Sequence, residues 1–161
     1  MQVVSLVSNS EEKEFIEFPT RLYRDNPTWI RPMDADIRAV FDPEKNKAFS
    51  QGTCSRWLLK DGDRTLGRIA AFLTYPANPD TEDGPYGGIG FFDCIQSQDA
   101  ANTLFDTARE WLQEQGATYM DGPVNFGRRD KWWGLLTKGF EVEPNYQCNY
   151  NFPYYAELFE N

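Results

Sequence analysis

Histidine is absent from the 161 residues. That one absence removes the commonest metal ligand and the commonest general base together, so a Ser-His-Asp or Cys-His hydrolase is excluded on chemistry alone. Cysteine is scarce. Cys54, Cys94 and Cys148 are odd in number, far apart and without a Cys-x-x-Cys pair, which predicts reduced thiols and no disulfide framework. Positive charge is outnumbered, 16 Lys and Arg against 25 Asp and Glu for a net of −9, so the mean field of the chain repels a phosphate backbone and nucleic acid is not an expected partner. No apolar run reaches membrane-spanning length, and the opening MQVVSLVSNSEEKEF has neither the basic start nor the apolar block of a secretion signal. The expected setting is the cytoplasm, with no membrane partner and no metal.

What is present is a chain able to fold. Hydrophobic residues make up 40% and aromatics 16%, and the length suits one domain with a sizeable core. Residues 2–7 alternate with β-branched side chains and read as a strand. Ser8 with Glu11 three positions on has the spacing of a capping box, followed by Phe15 and Phe18 on one helical face; Pro19 is expected to kink or restart that helix. Proline punctuates the next stretch, which leaves a short amphipathic helix with Ile37, Val40 and Phe41 on one side and Asp34 as its cap.

Two apolar segments, 55–59 and 66–74, flank Lys60-Asp61-Gly62-Asp63 and predict an antiparallel hairpin. Residues 75–87 form a Pro, Asp and Gly-rich loop, and GIGFFDCI at 88–95 reads as a buried strand. Ser97 then caps the clearest helix, with Ala101, Leu104, Phe105, Ala108 and Leu112 on one face and Gly116 as its left-handed stop. Residues 118–124 predict a last strand. The pattern is an α/β (α+β) fold, a mixed and mostly antiparallel sheet flanked by helices.

LGRIAAFLTY, GGIGFFDCIQSQDAANTLFDTAREWLQEQGA, MDGPVNFGRRDKWWGLL and NYNFPYYAELFEN, in this order, resemble the GNAT acyltransferase superfamily, and among it an uncharacterised bacterial group. The resemblance covers most of the chain and implies a single GNAT-like domain at 1–161 of a protein that continues beyond Asn161. It implies N-acyl transfer from acetyl-CoA or another acyl-CoA to an amine, with a catalytically degenerate binding module or a structural half of a longer protein as the alternative.

In active members the CoA pyrophosphate lies on amides at the N-terminus of the long helix, in an Arg/Gln-x-x-Gly-x-Gly/Ala loop, because unpaired amides and the helix dipole attract an anion. The matching positions are Gln96 to Ala101. Gln96 and Ala101 fit the pattern and Ser97 adjoins it, so these three are the candidate cofactor contacts. Both glycine places are altered, however, and Asp99 brings a negative charge. The family also carries a tyrosine that protonates the departing thiolate in a Leu-Tyr-Glu-like context. Here Leu158-Phe159-Glu160 puts phenylalanine there, and Tyr155, four residues earlier, is the hydroxyl that could replace it.

Asp93, between Phe92 and Cys94, points to the opposite strand face from both and is the candidate general base. Asn125, Arg128, Arg129, Trp132 and Trp133 follow the last expected strand, where ligands gather in open α/β sheets; paired arginines suit a carboxylate or phosphate, and tryptophans suit an apolar wall. Trp29, with Tyr23, Arg24, Arg31 and Asp34, is placed on the acceptor wall by the resemblance. The expected ligand is a small molecule or an acidic ligand. Gly87-Gly88-Ile89-Gly90 precedes a strand and completes no dinucleotide fingerprint, so its glycines are expected to allow a bulge or close packing.

Overall fold

The computed structural model describes residues 1–77 and 84–160. Ten segments follow one another: strand β1 (Gln2–Ser5), helices α1 (Asn9–Leu22) and α2 (Asp34–Val40), a 3₁₀ turn (Lys47–Ser50), strands β2 (Gly52–Asp61), β3 (Arg64–Thr74) and β4 (Tyr86–Cys94), helix α3 (Gln98–Glu114), strand β5 (Met120–Asp121) and helix α4 (Tyr155–Glu160). The sheet order is β1-β2-β3-β4-β5, antiparallel except for the parallel β4–β5 pair. The α+β architecture with a mixed, mostly antiparallel sheet is therefore the one expected. Asp61 pairs with Arg64 across Gly62, whose φ of +57° closes the hairpin.

Helix boundaries follow local chemistry. Ser8 and Glu11 form the reciprocal capping box, with the Glu11 carboxylate accepting from the Ser8 N–H at 2.8 Å. Ser97 caps α3, its hydroxyl accepting from the Ala100 N–H at 3.3 Å. Gly116, at φ +86°, ends α3 in a Schellman turn: its N–H reaches the Gln113 carbonyl at 2.9 Å and that of Ala117 the Leu112 carbonyl at 2.9 Å.

Four expectations are corrected. Pro19 does not interrupt α1, which runs on to Leu22. A proline there leaves the Phe15 carbonyl without its N–H donor, and Arg68 Nη1 of β3 donates to that carbonyl at 2.6 Å instead. Asp34 does not cap α2. Met33 holds the cap position without a side-chain hydrogen bond, because the Asp34 carboxylate is held by Arg31 at 2.9 Å. The strand expected over 118–124 shortens to Met120–Asp121. The expected 75–87 loop gives way to β4 from Tyr86, and its central residues 78–83 lie outside the described residues.

Two cores flank the sheet because β3 alternates. Ile69, Ala71 and Leu73 face α3 with Leu104, Ala108 and Leu112, whereas Ala70 and Phe72 face α1 and α2 with Phe15, Ile37 and Val40. Between Arg68↔Asp93 and Ala70↔Gly90 β4 carries one extra residue, and Phe91 takes φ +48° at this bulge. Gly90 permits the neighbouring chain to approach: a Cβ there would stand 1.9 Å from the Val124 carbonyl oxygen. Cys54, Cys94 and Cys148 are all free thiols, and among the described residues no helix is long and apolar enough to cross a membrane.

Candidate functional site

β4 and β5 pair only at Gly87↔Met120 and Gly88↔Asp121, and the Val124 N–H donates to the Ile89 carbonyl at 2.7 Å. Among the described residues no further ladder pair joins the two strands. The edge from Phe91 to Asp93 lines a cavity of about 70 Å³, whose walls include Trp29, Ile37, Trp132, Leu135 and Tyr155. The volume exceeds what one ordered water needs and falls well short of a whole cofactor pocket, so it suits a reacting head group.

The bulge in β4 orients the polar floor of this cleft. Phe92 and Cys94 join the α3 core, and Asp93 turns to the other face, as the strand pattern predicts. There it is buried opposite Arg68, its register partner. Arg68 Nε and Nη2 donate to Asp93 Oδ2 at 2.8 and 2.7 Å. On the other oxygen, the Tyr23 hydroxyl donates to Asp93 Oδ1 at 3.0 Å. The Tyr155 hydroxyl lies 3.3 Å from that of Tyr23 and 3.4 Å from Asp93 Oδ1, and accepts the Cys94 N–H at 2.9 Å. Tyr154 donates to the Cys94 carbonyl at 2.7 Å.

Both hydroxyls at the Asp93 carboxylate are strongly held as neutral phenols. Burial pushes Tyr23 well above its ordinary value, with the Asp93 charge adding to the effect. Burial does the same for Tyr155, followed by its neighbours Tyr23 and Asp93. Burial also raises the Cys94 thiol to about 12, which leaves it an inert packing group. Tyr23 is itself fixed between rings, Trp29 at 5.2 Å and Phe152 at 4.6 Å. The arrangement is a charge pair with two attached hydroxyls beside an aromatic hollow, able to accept, hold or pass a proton.

The structure thus brings Asp93, Tyr155, Trp29 and Trp132 to one cleft and separates the other candidates from it. Trp132 is buried and Trp133 is 61% exposed, so the two rings do not make a common wall. The two arginines are each held by a carboxylate. Arg128 is paired with Asp130, Arg129 with Asp121 at 3.0 Å, both side chains are exposed, and neither lines this cleft. Asn125 and Arg128 line a different hollow.

At the α3 N-terminus the positions expected to hold a cofactor have other employment. The Ser97 hydroxyl and carbonyl take the Ala100 and Ala101 amides, Ala101 is fully buried in the core, Gln98 beside them reaches the Leu158 carbonyl at 3.2 Å, and Gln96 and Asp99 are exposed.

Arg68 was not singled out by sequence reasoning. Its signal was available: one charge inside each of two apolar stretches, LGRIAAFL of β3 and GGIGFFDC of β4, of opposite sign, is the mark of a buried pair.

No family model matches the sequence. Over 144 residues the chain is 30% identical to the bacterial ceramide synthase of Caulobacter vibrioides, covering 89% of this chain and 37% of that protein. Over 158 residues it is 29% identical to protein YghO of Escherichia coli, covering 98% and 40%. The chain spans about two fifths of the length of the curated relatives it matches.

Among solved structures it resembles a predicted acetyltransferase of Clostridium acetobutylicum crystallised with acetyl-CoA, with a TM-score of 0.54, 14% identity, and 84% of this chain and 96% of that one covered. It also resembles an aminoglycoside 6'-N-acetyltransferase of Acinetobacter haemolyticus, with a TM-score of 0.53, 14% identity, and coverage of 80% and 82%. The fold of this chain is the GNAT acetyltransferase fold.

Proposed function

We propose that this GNAT-fold chain provides the amine-binding cleft of an N-acyltransferase, the amine carrying an apolar body. The observation that carries the reading is the hollow along the end of β4: aromatic walls above, and the Arg68–Asp93–Tyr23–Tyr155 group at its floor. The identity shared with a bacterial ceramide synthase supports an amide as product and a lipid-like amine as acceptor.

In the proposed reaction the amine nitrogen attacks the carbonyl carbon of an acyl thioester. A carbon–nitrogen bond forms, the carbon–sulfur bond breaks, the thiolate leaves, and the nitrogen surrenders one proton. Asp93 receives that proton through the hydroxyls, and Arg68 fixes the carboxylate so that Tyr23 and Tyr155 point to the same place. The altered α3 N-terminus contributes no anchoring to the donor, so no step is routed through a pyrophosphate.

A second reading, a binding module without turnover, is favoured by one observation. Tyr155 and Tyr154 occupy the N–H and C=O of Cys94, the last residue of β4, which leaves that end of the strand without free backbone groups toward its neighbours. One experiment separates the two. The chain is incubated with a long-chain primary amine and a palmitoyl thioester, and amide is measured by mass spectrometry beside free thiol by colorimetry. Equal amounts of amide and thiol, reduced about a hundredfold or more by Tyr155→Phe in a protein that still folds, support acyl transfer. Saturable binding of the amine with no amide formed leaves the binding module; no binding of either substrate defeats both.

A further inference from the structure

We propose that a second hollow, between residues 45–51 and 125–131, is a binding site for a soluble phosphate ester that also carries a hydroxyl group. It encloses about 790 Å³ and lies apart from the Asp93 cleft, sharing none of its lining residues.

The first argument is charge. In a chain of net −9 the average surface repels a phosphate, yet Lys45, Lys47, Arg128 and Lys131 line this hollow against the single carboxylate of Asp36. That carboxylate already accepts the Tyr146 hydroxyl at 2.6 Å. Lys45 has Asp42 at 3.5 Å, and Arg128 has Asp130. Lys47 and Lys131 have no carboxylate partner among the described residues; Lys131 lies over the Trp132 ring at 5.8 Å. Two cations thus remain uncompensated, in a concavity that focuses their field.

The second argument is a polar atom with nothing to bind. Asn125 is 6% exposed, and its Nδ2 donates to the Arg128 carbonyl at 3.0 Å, which settles which end of the amide is oxygen. Its Oδ1 is buried with no hydrogen-bond partner, and buried acceptors are ordinarily satisfied. An anion alone would not satisfy an acceptor. A ligand presenting a hydroxyl beside its phosphate would meet both demands, the oxygens on the ammonium groups and the O–H on Oδ1.

The third is rigidity. Asn46 Nδ2 reaches the Val40 carbonyl at 2.7 Å and the Phe126 carbonyl at 3.2 Å, and its Oδ1 accepts the Ala48 N–H at 3.0 Å. One side chain therefore ties both rims of the hollow at fixed separation, so binding has little ordering to do.

The test is calorimetric titration of the chain at low ionic strength with glycerol 3-phosphate and, separately, with pyrophosphate. Saturable binding of both is expected, weakening as salt is added. Lys47→Glu with Lys131→Glu should weaken both by about tenfold or more, while Lys13→Glu with Lys138→Glu, the same change in net charge placed elsewhere, should leave them unchanged. Asn125→Ala should weaken glycerol 3-phosphate and spare pyrophosphate. Should the charge reversal fail to fold, Lys47→Ala with Lys131→Ala replaces it, read in the same way.

Absence of saturable binding to either compound overturns the proposal, as does equal loss in the two charge-reversed variants. Sedimentation with phosphatidate vesicles but no response to the soluble esters overturns it too, since the hollow would then read a lipid surface. None of these outcomes bears on acyl transfer, which is measured on different substrates in a different cleft.

Discussion

The two faces of the sheet are built on opposite principles. On the α3 side Ile69, Ala71, Leu73 and Leu104 pack hydrocarbon on hydrocarbon, with Ala100, Ala101 and Ala108 bringing the helix close. On the α1 side the same strands bury an arginine and an aspartate against each other, with Tyr23 above them. An apolar face only has to exclude water. A buried ion pair adds a desolvation cost that better packing would avoid, so the α1 face carries a cost that the α3 core does not. Tyr155 joins the two, packing with the α3 core while its hydroxyl meets the charged group past the end of β4.

Breaking each face tests this contrast. Asp93→Asn leaves the Arg68 guanidinium buried without its counter-charge and should cost about 3–5 kcal/mol in urea unfolding. Arg68→Met with Asp93→Leu removes the unpaired charge and should recover part of that loss, the Phe15 carbonyl still lacking its donor, while abolishing any activity of the cleft; no recovery at all would mean that the pair is holding the fold and the contrast fails. On the other face Leu104→Ala, a cavity in fully buried hydrocarbon, should cost about 2–5 kcal/mol and leave ligand binding at the cleft unaltered.

Alkaline titration gives a smaller, pooled effect. Burial raises the Cys54 and Cys94 thiols from 9.0 to about 11 and about 12, and pushes Tyr23 and Tyr155 well above 10.0. The unfolded chain ionises these groups at their ordinary values. The stability held by keeping them neutral is therefore complete below about pH 9 and is lost as pH climbs through 11 to 12. Denaturation midpoints should be level up to about pH 9 and fall above it. A midpoint that stays level to pH 12 would contradict the burial of these groups.

The smallest effect is expected at the exposed pairs. Arg128→Ala with Arg129→Ala should change stability by no more than about 0.5 kcal/mol, since surface ion pairs are screened and mobile. A larger loss in thermal or chemical unfolding would mean that these arginines support the fold in a way their exposure conceals.

How much of this was legible in the sequence divides along the same lines. Local signals carried the elements: the Ser8 and Ser97 caps, the Gly116 stop, the Asp61-Gly62 turn and the alternation that turned Asp93 away from Phe92. What was misread depended on partners far along the chain. Pro19 was expected to disturb α1 because the donor that stabilises its turn comes from position 68, and Asp34 lost its capping role to Arg31. The carboxylates that hold the arginines after 125, Asp130 and Asp121, could not be assigned before the chain had folded. The 118–124 strand was cut short at Asp121, where Gly122-Pro123 interrupts the ladder because proline has no N–H to donate.

The proline in α1 has a consequence for how the molecule comes together. A helix that lacks one of its own donors and obtains it from Arg68 is incomplete in isolation, and the guanidinium that completes it is the one that neutralises Asp93. Secondary structure, strand pairing and the assembly of the charged site are then a single event: α1 closes its ladder only when β3 has delivered its arginine, and the arginine is delivered beside β4 only in correct register. The last donor of the helix and the counter-charge of the site are one and the same side chain.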